Sequence, residues 1–283
     1  MPMPTASFPN TARMRTGISF QSFSSGSCGN CYLLGASDSG GRISDAIIID
    51  AGVSPRTVKR VMTSEGLDAG CIRAVLVTHD HCDHIRSLGS FCKYFHLPVI
   101  VPGKLGDILS SHPLTRDHFN EVRSDVAPGE KREIIEGRLY ASWFEVPHDA
   151  GYTVGYDILF DNHRFVIATD CGAVTEELME AASSAGTVVI ESNYDEDMLF
   201  GGDYPEELKE RISGGHGHIS NAECADAVRG FLHEGLKNVF LCHLSQNNNT
   251  RELALASALE AVGDAPVRVI ALPRETPSPL FNL

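Results

Sequence analysis

Five apolar runs in this chain each stop on a side chain that can bind a metal ion or move a proton. AVLV leads into THDHCDH, which carries His79, His81, Asp83 and His84; WFEV leads to His148 and Asp149. FVIAT ends at Asp170, VVI at Glu191, and VFLC at His243. Short apolar runs bounded by turn residues read as buried strands, and a strand end is a rigid place from which to project a side chain. A fold that serves all five runs must bring their ends to one rim of its sheets. A solvated polar loop would explain one such ending, but not five.

The spacing inside THDHCDH has a mechanical meaning. In an extended loop, side chains two positions apart point the same way, so His79 and His81 can clamp one cation together. Asp83 and His84 sit on the turn into the next helix and can reach a second cation, with a carboxylate such as Asp170 between the two. Mixed imidazole and carboxylate donors suit zinc, manganese or iron.

The remaining sequence bounds the setting. At 283 residues the chain can bury a substantial core, and its hydrophobic content of 42% with 21% charged residues is that of a globular protein. No apolar stretch approaches the ~20 residues that span a bilayer, so no membrane partner is expected. MPMPTASFPNTARMRTG lacks the apolar centre of a secretory signal, so residues 1–16 read as a polar leader before one domain over 17–283, and the cytoplasm is the expected location. The eight cysteines are not spaced as a disulfide scaffold. Cys28 and Cys31 form a lone CxxC that reads as small residues around a glycine turn, and Cys82 and Cys171 read as packing beside ligand candidates. The net charge of −14 excludes a protein that coats nucleic acid with its whole surface.

Strands are expected in GISFQSF, NCYLLGA, DAIIIDAG, RAVLVT and PVIVP, then in RLYASWFEVP, TVGYDILF, HRFVIATD, TVVIES, KNVFLC and VRVIAL. Ser54 and Pro55 open a helix that closes at Gly66, and DHIRSLGSFCKYFH has helical periodicity. Further helices are expected near 174–185, 204–212, 220–234 and 250–262. Residues 103–135 read as mixed helix and loop, and DEDMLFGGDYPEE as a solvated acidic stretch. Two strand-rich halves with accompanying helices suggest helices outside two facing sheets.

HxHxDH after a buried strand, followed by a lone His, a lone Asp and a late His, resembles the metallo-β-lactamase fold. The resemblance extends to the YycJ (WalJ) group of exonucleases over roughly residues 17 to 255. It is carried in order by SSGSCGN, THDHCDH, PHDAGYTVGY, ATDCG, ESNYDEDML, YPEELKERI, GHISN and HLSQNN. Tyr194 departs from the pattern, standing where that group often has His after ESN.

The resemblance implies an α/β fold, the four-layer αββα sandwich, with two divalent metal ions at its rim. It assigns His79, His81 and His148 to the first ion, Asp83, His84 and His243 to the second, and Asp170 to the bridge. Asp83, His218 and Glu191 become the catalytic candidates, the latter two beside a scissile phosphate, with Ser220 and Asn221 contacting substrate at a helix start. The implied activity is a dinuclear metal-dependent phosphodiesterase, a 5′ to 3′ DNA exonuclease using a metal-bridging hydroxide; the alternative is a hydrolase of a small phosphodiester, lactone or thioester. A DNA substrate asks for a local basic strip, for which Arg56, Lys59, Arg60, Lys209 and Arg211 are the candidates.

Overall fold

The computed structural model describes residues 17–38 and 40–283, so the leader expected over 1–16 lies outside the described residues. The first half runs β1 (Ile18–Gly26), β2 (Gly29–Ser37), β3 (Ile43–Ile49), α1 (Pro55–Ser64), β4 (Ile72–Leu76), α2 (Cys82–Ile85), α3 (Leu88–Phe95), β5 (Val99–Pro102), α4 (Gly103–Ser111) and β6 (Arg123–Val126). The second half runs β7 (Arg132–Ile135), β8 (Leu139–Glu145), β9 (Val154–Phe160), β10 (His163–Ala168), α5 (Glu176–Ala182), β11 (Thr187–Glu191), α6 (Glu196–Gly201), α7 (Glu206–Ser213), α8 (Asn221–Phe231), β12 (Asn238–Cys242), α9 (Arg251–Val262), β13 (Arg268–Ala271) and β14 (Phe281–Asn282). The strands form two sheets, ordered β14-β1-β2-β3-β4-β5-β6 and β13-β12-β11-β10-β9-β8-β7. With helices on the outer faces, the result is the αββα sandwich.

Alternation along the strands builds the layers. Phe165 and Ile167 of β10, with Phe240 and Cys242 of β12, join Phe20 of β1 in the core between the sheets. Their neighbours Val166, Ala168, Val239 and Leu241 face the other way, onto α5, α8 and α9. Strands buried on both faces read as unbroken apolar runs, which is why FVIA and VFLC lack polar alternation. Phe20 lies 5.3 Å from Phe165 and 4.8 Å from Phe240 between ring centroids, with the rings tilted by 46° and 50°, an aromatic centre joining the sheets.

Strand direction decides where the site forms. β3 to β6 are mutually parallel, as are β10 to β13, and β8 runs with β10 through antiparallel β9. The carboxyl ends of β4, β8, β10, β11 and β12 therefore share a rim, where open α/β sheets hold their ligands.

Three local expectations change, and one strand appears that none of them anticipated. Residues 103–135 contain two short strands, β6 and β7, at the outer edges of the two sheets. The acidic stretch contains a helix, α6, capped by Asp195, whose carboxylate accepts from Met198 N–H at 3.0 Å. The helix expected over 83–96 is broken into α2 and α3. Finally, β14 closes the first sheet against β1 through Ser19 and Phe20.

Candidate metal centre

The loop after β4 is fastened before it reaches its first histidine. Asp50, at the end of β3, accepts from Thr78 N–H at 2.8 Å and from its hydroxyl, and its other oxygen accepts from His84 Nδ1 at 2.8 Å. The next turn packs backbone against backbone: a Cβ on Gly52 would stand 1.7 Å from the Asp83 carbonyl oxygen, so only glycine fits. Ala51 N–H donates to the His84 carbonyl and Gly52 N–H to that of Asn30, lacing the β1–β2 hairpin to the motif. Asp50 and His243 both adopt left-handed backbone, with φ of 60° and 51°. Such conformations persist in non-glycine residues where the surroundings hold them.

Four of the imidazoles are held by a partner on one ring nitrogen. His148 Nδ1 donates to the Gly217 carbonyl at 2.8 Å, leaving Nε2 facing His81 Nδ1 at 3.2 Å. His79 Nδ1 meets the Thr78 hydroxyl at 3.0 Å. His84, oriented by Asp50, turns Nε2 toward Asp170 Oδ2 at 3.2 Å and Asp83 Oδ2 at 3.6 Å. His243 Nδ1 lies 3.2 Å from Asp170 Oδ1 and 2.9 Å from Glu191 Oε1. Carboxylate and carbonyl partners of this kind fix the tautomer of metal-binding histidines.

The donor atoms fall into four overlapping sets, in each of which they lie within 4.8 Å of one another: His79, His81 and His148; Asp83, His84 and His243; His79, His84 and Asp170; and Asp170, Glu191, His218 and His243. Asp170 is shared, and it faces His84 with one oxygen and His148 and His243 with the other. Among the described residues no such set contains a cysteine. The fit to cations rests on two atoms buried inside this nest: His79 Nε2 has no hydrogen-bond partner, and Asp170 Oδ2 meets only His84 Nε2, as an ion pair at 3.2 Å. An unsatisfied buried polar atom costs about 1–3 kcal/mol, and a cation among these donors would satisfy both.

Charge is distributed unevenly. Burial works against the carboxylates of Asp83, Asp170 and Glu191, yet the surrounding imidazoles hold all three below the usual range, Asp170 well below it. Burial pushes His79 well down and lowers His148. It opposes protonation of His84 too, but Asp170 and Asp50 outweigh it and lift that ring to about 10. His243 is raised well above its ordinary value, against burial, by Asp170, Asp83 and Glu191.

Several sequence expectations take different positions here. Glu191 is fully buried; it accepts from Cys171 N–H and pairs with His218 Nδ1 at 2.7 Å, so it positions imidazoles from beneath the site. His218 is partly exposed and lines the depression over the site. Ser220 and Asn221 are buried and engaged: Ser220 forms a capping box with Glu223, and Asn221 exchanges hydrogen bonds with Asn249 while accepting from Ser192. Both side chains are thus engaged at the start of α8. Lys209 is also buried, its ammonium held by Glu206 at 2.9 Å and the Phe200 carbonyl at 3.0 Å, which removes it from the basic strip. Arg211 instead reaches the mouth of the depression, paired with Asp149 at 2.6 Å. Asp50 and Asn30 carried no assignment from the sequence; Asn30, within SSGSCGN, places its amide 3.0 Å from Asp83 and 2.7 Å from His84.

The sequence matches the model of the beta-lactamase superfamily domain over residues 45–243. It is 29% identical over 246 residues to a protein named exodeoxyribonuclease YycJ from Bacillus anthracis, covering 87% of this chain and 89% of that one. It is 27% identical over 253 residues to exodeoxyribonuclease WalJ from Streptococcus pneumoniae serotype 2, covering 89% and 91%. The fold is similar to that of the metallo-beta-lactamase fold protein YhfI from Bacillus subtilis, with a TM-score of 0.65, 14% identity, and coverage of 92% of this chain and 99% of that one. Among the described residues no helix is long and apolar enough to cross a membrane.

Proposed function

The chain belongs to the beta-lactamase superfamily and is a metal-dependent hydrolase, and on that premise we propose that it is a dinuclear phosphodiesterase cutting DNA from the 5′ end. The observation that carries the metal reading is the overlap of donor sets on Asp170, together with the partnerless Nε2 of His79 buried beside it. In this reading His79, His81 and His148 hold one ion, Asp83, His84 and His243 hold the other, and Asp170 lies between. The donor set suits zinc or manganese, with iron admissible. What the two cations supply when bound is a lowered pKa for water and neutralisation of phosphoryl charge. The DNA reading is supported by the similarity to two exodeoxyribonucleases along nearly the whole chain.

The protein's own groups do the rest. Asp50, Thr78 and the Gly217 carbonyl keep imidazole lone pairs turned inward. Glu191 holds His218 by Nδ1 and raises its proton affinity against burial, leaving Nε2 to donate to a phosphoryl oxygen. Among the described residues Arg211 is the one Lys or Arg side chain lining the depression of about 250 Å³, and in this reading it exchanges Asp149 for the phosphate of the substrate. The test compares strands labelled at either end, bis-p-nitrophenyl phosphate, and a panel of lactones and thioesters. Stepwise release from a 5′ end, abolished by chelation and restored by zinc or manganese, is the expected result. Full activity after exhaustive chelation, or turnover of lactones or thioesters with none of DNA, would reject the proposal.

A further inference from the structure

A second depression opens on the same rim, at the carboxyl ends of β5, β6 and β8. One wall is the loop that carries His148: Gly151 N–H donates to Asp80 Oδ1 at 2.9 Å, tying it to the THDHCDH segment, and Tyr152 follows directly. The cleft holds about 380 Å³, with Trp143, Tyr152 and Lys104 among its walls. Trp143 is partly exposed, and its indole N–H donates to the Val126 carbonyl at 3.1 Å, which fixes the plane of the ring. The two aromatic rings stand 6.1 Å apart at 76°, and Lys104 Nζ sits 4.3 Å from the Tyr152 centroid. Two acids also line the cleft, but Asp125 is paired with Arg123 and Glu130 with Arg132. Lys104 is the cationic wall residue without a carboxylate partner among the ion pairs of the described residues.

We propose that this cleft is a nucleobase-stacking subsite, taking a base of a single-stranded DNA whose phosphodiester lies at the metal centre. The inference rests on the phosphodiesterase reading and narrows its substrate to strands with an unpaired base beside the cut. A base offers a flat π-face of any sequence, and an indole already held in place loses little freedom on stacking. Lys104, on the aromatic face, is placed to follow the backbone phosphate of the same nucleotide. Tyr152 lies four positions after His148, so their Cα atoms lie within about 14 Å of each other, a span of a few nucleotides. Local stacking with one cation also answers how a chain of net charge −14 retains a polyanion without a basic surface.

Trp143 is the only tryptophan, so its emission reports on this cleft alone. The zinc-loaded protein is titrated with a phosphorothioate single strand that resists cleavage, and with an abasic strand of equal length. Binding is followed by anisotropy of a label on the strand and by tryptophan emission. Saturable quenching by the base-bearing strand is expected, with that strand binding about 5- to 150-fold more tightly than the abasic one. Tyr152→Leu should shrink that ratio and Lys104→Met should weaken both strands alike, each leaving metal content unchanged; Tyr152→Phe, which keeps the ring, should preserve the ratio. Equal affinity for both strands with unchanged emission would overturn the subsite and leave the phosphodiesterase reading standing. Failure of either strand to bind, with no DNA cleavage by the unmodified enzyme, would remove that reading and the subsite with it.

Discussion

Asp50→Asn isolates the aiming of one imidazole from everything else in the metal centre. The substitution conserves shape, and asparagine tolerates the left-handed backbone at φ 60°. It changes only what the second side-chain atom can do. At present one oxygen accepts from Thr78 N–H and the other from His84 Nδ1. If the amide keeps its carbonyl toward Thr78, its NH2 faces His84 Nδ1, and the ring must put its proton on Nε2, the atom turned toward Asp170 and Asp83. If the amide flips, its NH2 meets Thr78 N–H, and a fully buried hydrogen bond is lost at about 1–3 kcal/mol.

Either outcome weakens the site proposed for the second ion. Loss of a partner of this kind lowers metal affinity about 10- to 100-fold, or ~1.4–2.7 kcal/mol. Removing the charge of Asp50 also lowers the proton affinity of His84, which eases competition by protons and partly hides the loss near neutrality. The deficit should therefore widen toward pH 9, where the parent protein sheds more of its competing protons while the variant keeps its wrong tautomer. The assay is zinc titration of metal-free protein against a chromophoric chelator at pH 7 and pH 9, with circular dichroism to establish folding. A folded variant that binds both ions as tightly as the parent at both pH values would refute the assignment of His84 and the tautomer argument together.

Arg211→Met should raise the KM for DNA about 5- to 50-fold with kcat nearly unchanged and, by removing one phosphate contact, reduce the salt slope of single-strand binding by about 0.7; an unchanged KM would return Arg211 to a purely structural pair with Asp149. Affinity of the metal-free protein for zinc should rise with pH up to about 10, because His84 and His243 hold protons in that form and must release them to expose lone pairs. Proton release measured by calorimetry in buffers of different ionisation enthalpy checks this, and binding without proton release at pH 7 would contradict it. Asn221→Leu should destabilise the fold by about 1–3 kcal/mol in urea unfolding while leaving the KM of the folded fraction unchanged, because its amide serves Asn249 and Ser192; a selective rise in KM would restore its role in substrate contact.

What the sequence disclosed depends on the distance over which each feature is decided. The strand-end residues were legible because two local patterns coincide at each: an unbroken apolar run, forced by helices and a sheet on its two faces, and a ligand-type side chain where the run stops. β6 and β7 carry no such pattern. RSDV and REII lie at sheet edges, half their length is polar or exposed, and pairing with β5 and β8 alone makes them strands. α6 did carry a local signal, since Asp195 precedes two acids in the first turn, where the helix dipole favours negative charge; the run of acids obscured its own cap. Lys209 shows the opposite failure. Nothing near it in the sequence marks it as buried, because its ammonium is satisfied by the carbonyl of Phe200 at the end of another helix. Asp50 and Asn30 follow the same logic inside the site, reaching His84 across 34 and 54 positions. Ligand chemistry is written in short motifs, whereas the groups that aim those ligands are recruited by the fold, so an acid or amide at an ordinary turn acquires its role only when the sheets bring a histidine to it.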